Sequence, residues 1–254
     1  MSDRLSELEQ IHTIVKQNPK ELPSETRKQF WKIVRQIKRE SSPNEEEITK
    51  AAVIRDILFE ANRGRTYPLG PVLSLEIIIG LLAVWIYLWA LETPLDWTML
   101  LTWDLSNWMT FVLRFLFVFA AIVFLYPIGR VIAGKWAGIK LVGMCRDQYY
   151  EPTVKIDYVT FLKAPASKRK WFFFFAGLWT VITSLWLWIL GMIVAWDYTA
   201  LIPAVVLTVF EGAVIISGNP SAARGEMGHY NREKRIERAW KRNLAKMREE
   251  SQVD

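Results

Sequence analysis

The sequence predicts an all-α polytopic membrane protein. It should have four transmembrane helices, a cytoplasmic helical domain before them, a small cytoplasmic β-hairpin between them and a cytoplasmic helix after them. Three observations carry this. Trp171 to Trp196 is a run of 26 residues without a charge, about 39 Å of helix, enough to cross roughly 30 Å of hydrocarbon. Three more runs of about 21 residues, 71–91, 108–129 and 198–218, hold one charge each: Glu76, Arg114 and Glu211. Finally, the charges between the runs are sorted by sign. Segment 130–170 has nine Lys/Arg against three acids and the tail after 218 has nine Lys/Arg, whereas 92–107 has none and carries Glu92, Asp96 and Asp104. With Asp197 alone in the last short link, every basic block falls on one side, which places both termini in the cytoplasm of a cell membrane.

Composition agrees once it is divided this way. The chain has 254 residues, 13 Trp, 52% hydrophobic and 23% charged residues and a net charge of +6. The modest charged fraction averages nearly uncharged spans and charge-dense blocks. A simple soluble globule and a disordered chain are both excluded. A single cysteine, Cys145, excludes a disulfide scaffold and a Cys-rich zinc site, and two histidines, His12 and His229, exclude most His-based metal sites. There is no phosphate-binding Gly loop, Ser nucleophile elbow or dinucleotide fingerprint, so no cofactor and no bound metal is expected. Seventy residues of largely polar sequence precede the first span, which is therefore not expected to be a signal peptide.

Residues 1–66 read as three helices. Leu5, Leu8, Ile11 and Val15 share one helical face before Asn18-Pro19. A second helix from Pro23-Ser24 buries Phe30, Ile33, Val34 and Ile37. Ser42-Pro43-Asn44-Glu45 reads as a start signal, with Ser42 as N-cap, Pro43 first in the helix and Glu45 closing a capping box. The third helix carries Ile48, Ala51, Ala52, Val53, Ile54, Ile57 and Leu58 and ends near 62–64. With 13 basic and 11 acidic residues the domain is nearly balanced, so its charges read as a solvated helical face and nucleic acid is an unlikely partner.

Residues 139–163 change period. Val154, Ile156, Tyr158 and Thr160 alternate with Lys155, Asp157, Val159 and Phe161, Ile139–Arg146 is strand-like, and Glu151-Pro152 marks a turn, which predicts the hairpin. Lys168-Arg169-Lys170 then stands as a basic anchor before the third span. The tail 226–250 is a charge-dense helix with a narrow stripe of Ile236, Trp240, Leu244 and Met247. That stripe suits either the inner leaflet or the protein's own helices, and packing on its own protein is preferred. Trp97, Trp103, Trp108 and Trp196 at the outer boundary and Trp136 and Trp171 at the inner one read as membrane-interface anchors.

Charges within spans are where function is sought. Arg114, six residues from the outer end of span two, is expected to snorkel outward. Glu76 and Glu211 lie toward the cytoplasmic side, as does Arg130, so Glu76, Arg130 and Glu211 are expected to form one intramembrane polar cluster. Fixing helix packing is preferred over a proton or ion path.

The segment Tyr126-Pro127-Ile128-Gly129-Arg130 runs into Ala133-Gly134 and Gly138-Ile139-Lys140-Leu-Val, then the hairpin, then Ala166-Ser-Lys-Arg-Lys170 and Ala176-Gly177. Across roughly 110–190 this resembles the site-2 protease family of intramembrane metalloproteases, in which a His-Glu-x-Gly-His helix is followed by such a hairpin. The resemblance implies a degenerate motif here. Tyr126 and Arg130 stand at the two zinc-binding histidines and Pro127 at the catalytic glutamate. The family's third ligand, an Asp before Gly in a later span, has Glu211-Gly212 as a counterpart. A permanent cation repels zinc and proline is no base, so the resemblance implies a non-catalytic relative, with Pro127 breaking or kinking its helix. The expected function is a non-catalytic membrane scaffold or client-binding protein whose partners are the lipid bilayer and other membrane proteins. The alternatives are a small transporter or channel component using Glu76 or Glu211, and a membrane-anchored cytoplasmic adaptor. His229 reads as a polar tail residue and Cys145 as a buried structural thiol.

Overall fold

The computed structural model describes residues 3–40, 43–63, 65–98, 101, 104–146, 152–219 and 225–250. It is mostly helical. In chain order the elements are α1 (Asp3–Gln17), α2 (Ser24–Ile37), α3 (Glu45–Arg63), β1 (Tyr67–Pro68), α4 (Leu69–Ala90), α5 (Leu105–Ala137), β2 (Leu141–Arg146), β3 (Pro152–Ile156), α6 (Tyr158–Lys163), α7 (Ala166–Ala195), α8 (Leu201–Ser217) and α9 (Glu226–Glu250).

Helices α4, α5 and α7, of 22, 33 and 30 residues, are long and apolar enough to cross a membrane. Helix α8 is equally apolar but has 17 residues, a length of about 25 Å. Many large apolar side chains on these helices face outward, among them Leu75, Trp85, Phe119, Ile193 and Val209. That arrangement suits hydrocarbon rather than water as the surrounding solvent.

Helices α1–α3 bury the apolar faces read from the sequence, including Leu8, Val15, Phe30, Ile37, Ile48 and Ile54. Val53 is 41% exposed, because it lies off the face that Ile48, Ala52 and Ile54 turn inward. The start of α3 also differs. The helix begins at Glu45 and its cap is Asn44, whose Oδ1 accepts from the Glu46 amide at 2.9 Å. Pro43 therefore precedes the helix instead of opening it, and Ser42 lies outside the described residues. The core of these helices continues into Phe161, Phe172 and Met227, so the segment packs on the helical bundle.

The expected hairpin is a three-stranded antiparallel sheet in the order β1-β2-β3. Met144 lies opposite both Tyr67 and Val154. Gly143 permits the extra strand: a Cβ there would sit 2.4 Å from the Tyr67 carbonyl oxygen. The alternation read through Tyr158 and Thr160 ends at Asp157. The carboxylate of Asp157 accepts from the Val159 and Thr160 amides and starts the short helix α6. Cys145 is buried in β2; Glu151 lies outside the described residues.

Helix α5 continues through Pro127, so of the expected break or kink the break does not occur. Proline removes one amide donor, but α5 is held from the side. The Trp179 indole donates to the Leu125 carbonyl at 3.0 Å, and Gly129 leaves room for Trp179, where a Cβ would approach to 2.4 Å.

Helix α9 is not a separate tail. Its Asn231 Nδ2 donates to the Val214 carbonyl at 2.7 Å and Arg235 Nη2 to the Gly218 carbonyl at 3.1 Å. Both contacts keep one offset in sequence, so α9 runs parallel to α8. Against α7 it runs antiparallel, with Met227 beside Gly177 and Glu233 beside Arg169. Its first turns are thereby set among the apolar helices. Ile236 is buried and Trp240 and Leu244 are half-buried; the Met247 side chain is outside what is described.

Candidate functional site

Two buried polar centres occupy opposite ends of the bundle. The first is at the sheet end and is built on α5. Tyr126 and Arg130 are one turn apart on one helical face, and both donate to a single atom, Oε1 of Glu226. Arg130 Nε reaches it at 2.8 Å, and Arg130 Nη2 and the Tyr126 hydroxyl also donate to it. Arg130 Nη1 turns to the sheet, donating to Thr153 Oγ1 at 2.7 Å and Val154 O at 3.3 Å. Its guanidinium lies 5.5 Å from the Tyr126 ring centre. Glu226 is 7% exposed, and among the described residues its Oε2 has no hydrogen-bond partner. Gly177 makes the approach possible, since a Cβ there would meet Met227 at 2.8 Å and Glu226 at 3.2 Å.

The expected cluster of Glu76, Arg130 and Glu211 is therefore revised. Arg130 spends its charge on Glu226, and among the described residues it has no ion pair with Glu76 or Glu211. Glu76 is buried on α4, within electrostatic reach of Arg146, and among the described residues its Oε2 has no hydrogen-bond partner. Glu211 lies on α8 within electrostatic reach of Glu226.

Below this centre α9 makes a second tier of ion pairs. Glu233 accepts from Lys38 Nζ at 2.5 Å and Arg169 Nε at 2.8 Å. Arg169 also donates to the carbonyls of Ala164, Leu162 and Lys38. Burial opposes the charge on Glu233, but Lys38 and Arg169 outweigh it and hold the carboxyl below the usual range. Lys170 pairs with Glu237 at 2.6 Å. Two of the three residues read as a basic anchor, Arg169 and Lys170, thus bind α9; Lys168 is exposed.

His229 stacks on Phe173 with ring centres 4.8 Å apart. Burial and then the charge of Arg232 hold its imidazole down to about 4. The unfolded chain protonates at the ordinary value near 6.5 and so binds more protons below it. The contribution of His229 to stability, read as the difference between the wild-type chain and His229→Phe, should fall by about 3 kcal/mol as pH drops from about 6.5 to about 4. Unfolding midpoints across that range should show the slope, and His229→Phe should flatten it.

The second centre, at the far end of the bundle, joins α4, α5 and the α7–α8 turn. Arg114 is 2% exposed and does not snorkel. Its Nη1 donates to Asp197 Oδ1 at 2.6 Å, its Nε to the Ala90 carbonyl at 3.3 Å and its Nη2 to the Thr93 carbonyl. The last two close the C-terminus of α4, whose carbonyls lack helical partners. Asp197 also accepts from the Tyr87 hydroxyl at 2.9 Å and from Thr199. Trp196 adopts φ 51° to turn the chain, with the Asp197 amide bonded to the Gly191 carbonyl. Gly191 leaves room for Tyr87, whose hydroxyl would lie 2.2 Å from a Cβ.

The expected interface tryptophans divide. Trp136 and Trp196 are 52% and 74% exposed. Trp97 packs edge-on against Phe111 and Tyr198, Trp108 against Phe111, and Trp171 against Phe174. Trp103 lies outside the described residues. Among the described residues, no three His, Cys, Asp or Glu side chains gather as metal ligands.

Comparison with protein-family models, with curated proteins and with solved structures finds no match to this chain.

Proposed function

We propose that the chain is a four-span integral membrane protein of the cell membrane, with the sheet and both termini in the cytoplasm, acting as a non-catalytic scaffold for membrane clients. The orientation rests on the basic blocks gathering at the sheet end. The observation that carries the functional reading is the convergence of Tyr126 and Arg130 on Glu226. In the site-2 proteases, which segment 110–190 resembles, two histidines at this spacing and a later acidic residue meet on zinc. Here a phenol and a guanidinium at those positions meet a carboxylate directly. On this reading Glu226, rather than Glu211, is the third vertex, and the cation of Arg130 supplies the positive charge that a metal would bring. Pro127, between them, has no group to activate water.

Metal analysis of the purified protein, with a cleavage assay on single-span membrane substrates, tests the reading. Zinc far below one atom per chain and intact substrates are expected; one zinc per chain or a cut substrate would overturn it. Photo-crosslinkers at Trp85 on α4 and Ile14 on α1 separate scaffold from adaptor, since a scaffold captures its partners through α4. One observation favours a transporter component instead, the buried Oε2 of Glu76, which has no hydrogen-bond partner among the described residues. Carbodiimide labelling of Glu76 with a pH-dependent flux would support that alternative.

A further inference from the structure

Helix α9 sorts its charges between two faces. Glu226, Glu233 and Glu237 are buried against the bundle, while Arg235, Arg238, Lys241 and Arg242 are exposed. These four cations, with Arg39 just beyond α2 and Ala239, line a hollow of about 620 Å³ that, among the described residues, no acidic side chain enters. Lys241 pairs with Glu237 at 3.1 Å and Arg235 is tied to the Gly218 carbonyl. Among the described residues, Arg39, Arg238 and Arg242 have no carboxylate partner. Five cations share one concavity, and three keep their full donor sets for an incoming anion. Guanidinium groups match a phosphate's oxygens in pairs.

Position selects the source of that phosphate. Gly218 ends α8, so the Arg235 contact sets the hollow level with the end of an apolar helix. Ile216, two residues back, is 87% exposed, and Val209 and Phe210 are exposed farther along. A ligand with an anionic head and apolar tails meets both surfaces at once; a free phosphate meets only one.

We infer that this hollow binds the phosphate head group of an anionic phospholipid whose acyl chains lie along the exposed face of α8. The inference rests on α8 lying in the membrane, but not on the state of the Tyr126–Arg130–Glu226 centre. The test uses the full chain in detergent micelles, titrated with phosphatidylglycerol, phosphatidylcholine or inorganic phosphate and read by native mass spectrometry. Preference for phosphatidylglycerol is expected. R238Q/R242Q should weaken it by about 30-fold, each cation near an anionic lipid surface being worth roughly fivefold. A control of equal charge change, K16Q/K20Q on and beyond α1, should leave it unchanged. Arg39→Gln, on a different element, serves if the α9 variant does not fold, with a loss of several-fold expected. Equal retention of the two lipids, equal loss in the control, or inorganic phosphate displacing the lipid at equal concentration would each overturn the inference. The zinc and cleavage assays are unaffected by any of these outcomes, so failure here is distinguishable from failure of the scaffold reading.

Discussion

Asp197→Ala should destabilise the folded protein by about 3–5 kcal/mol, the usual cost of leaving a buried charge without its partner. Thermal or denaturant unfolding in detergent measures it. The substitution leaves the Arg114 guanidinium, 2% exposed, with only the carbonyls of Ala90 and Thr93. It also strips Tyr87 and Thr199 of their acceptor. Arg114→Met should cost a similar amount, because a buried carboxylate is then unpaired. The double variant Arg114→Met/Asp197→Leu should recover much of the loss, since neither charge remains. Single-variant losses below about 1 kcal/mol, the range of an exposed pair, would contradict this account of the far-end centre.

Arg130→Met should have an effect of the same order, about 3–5 kcal/mol, with a local signature as well. Among the described residues, the Glu226 carboxylate would keep only the Tyr126 hydroxyl as donor, with Oε2 already without a partner. The first turns of α9 should loosen. Hydrogen exchange should rise from Glu226 to Asn231, while the amides beyond Glu233, still held by Lys38 and Arg169, stay protected. Uniform exchange along α9 would show that Arg130 does not hold its start.

How much of this could be read from the sequence depends on whether the signal was local. The apolar runs and the faces of α1 and α2 follow from spacing along one helix, and they lie where expected. The charges inside the runs were found, but their partners were not. Arg114 reads as solvent-facing because its partner, Asp197, is 83 residues away and reads as an ordinary loop acid. Arg130 pairs by depth with the nearest acids, Glu76 and Glu211, because its partner Glu226 is 96 residues away on a helix whose packing site the apolar stripe does not name. One signal was present. Glu226, Glu233 and Glu237 recur at seven- and four-residue steps along one face of α9, while Arg235, Arg238 and Arg242 recur on another. Acids collected on one face of a charge-dense helix point to a buried basic surface opposite, here Arg130, Arg169 and Lys170. The third strand had no comparable signal, since β1 is two residues long and depends on the absence of a side chain at Gly143.

The central claim is that the Tyr126–Arg130 face of α5 is closed by a carboxylate from α9. A double-mutant cycle tests it most directly, using Arg130→Met, Glu226→Gln and the pair, with unfolding free energy as the readout. The account predicts a coupling of about 1.5–3 kcal/mol, that of a charge-assisted hydrogen bond in a buried setting. Additive losses, with a coupling within about 0.5 kcal/mol of zero, would contradict it.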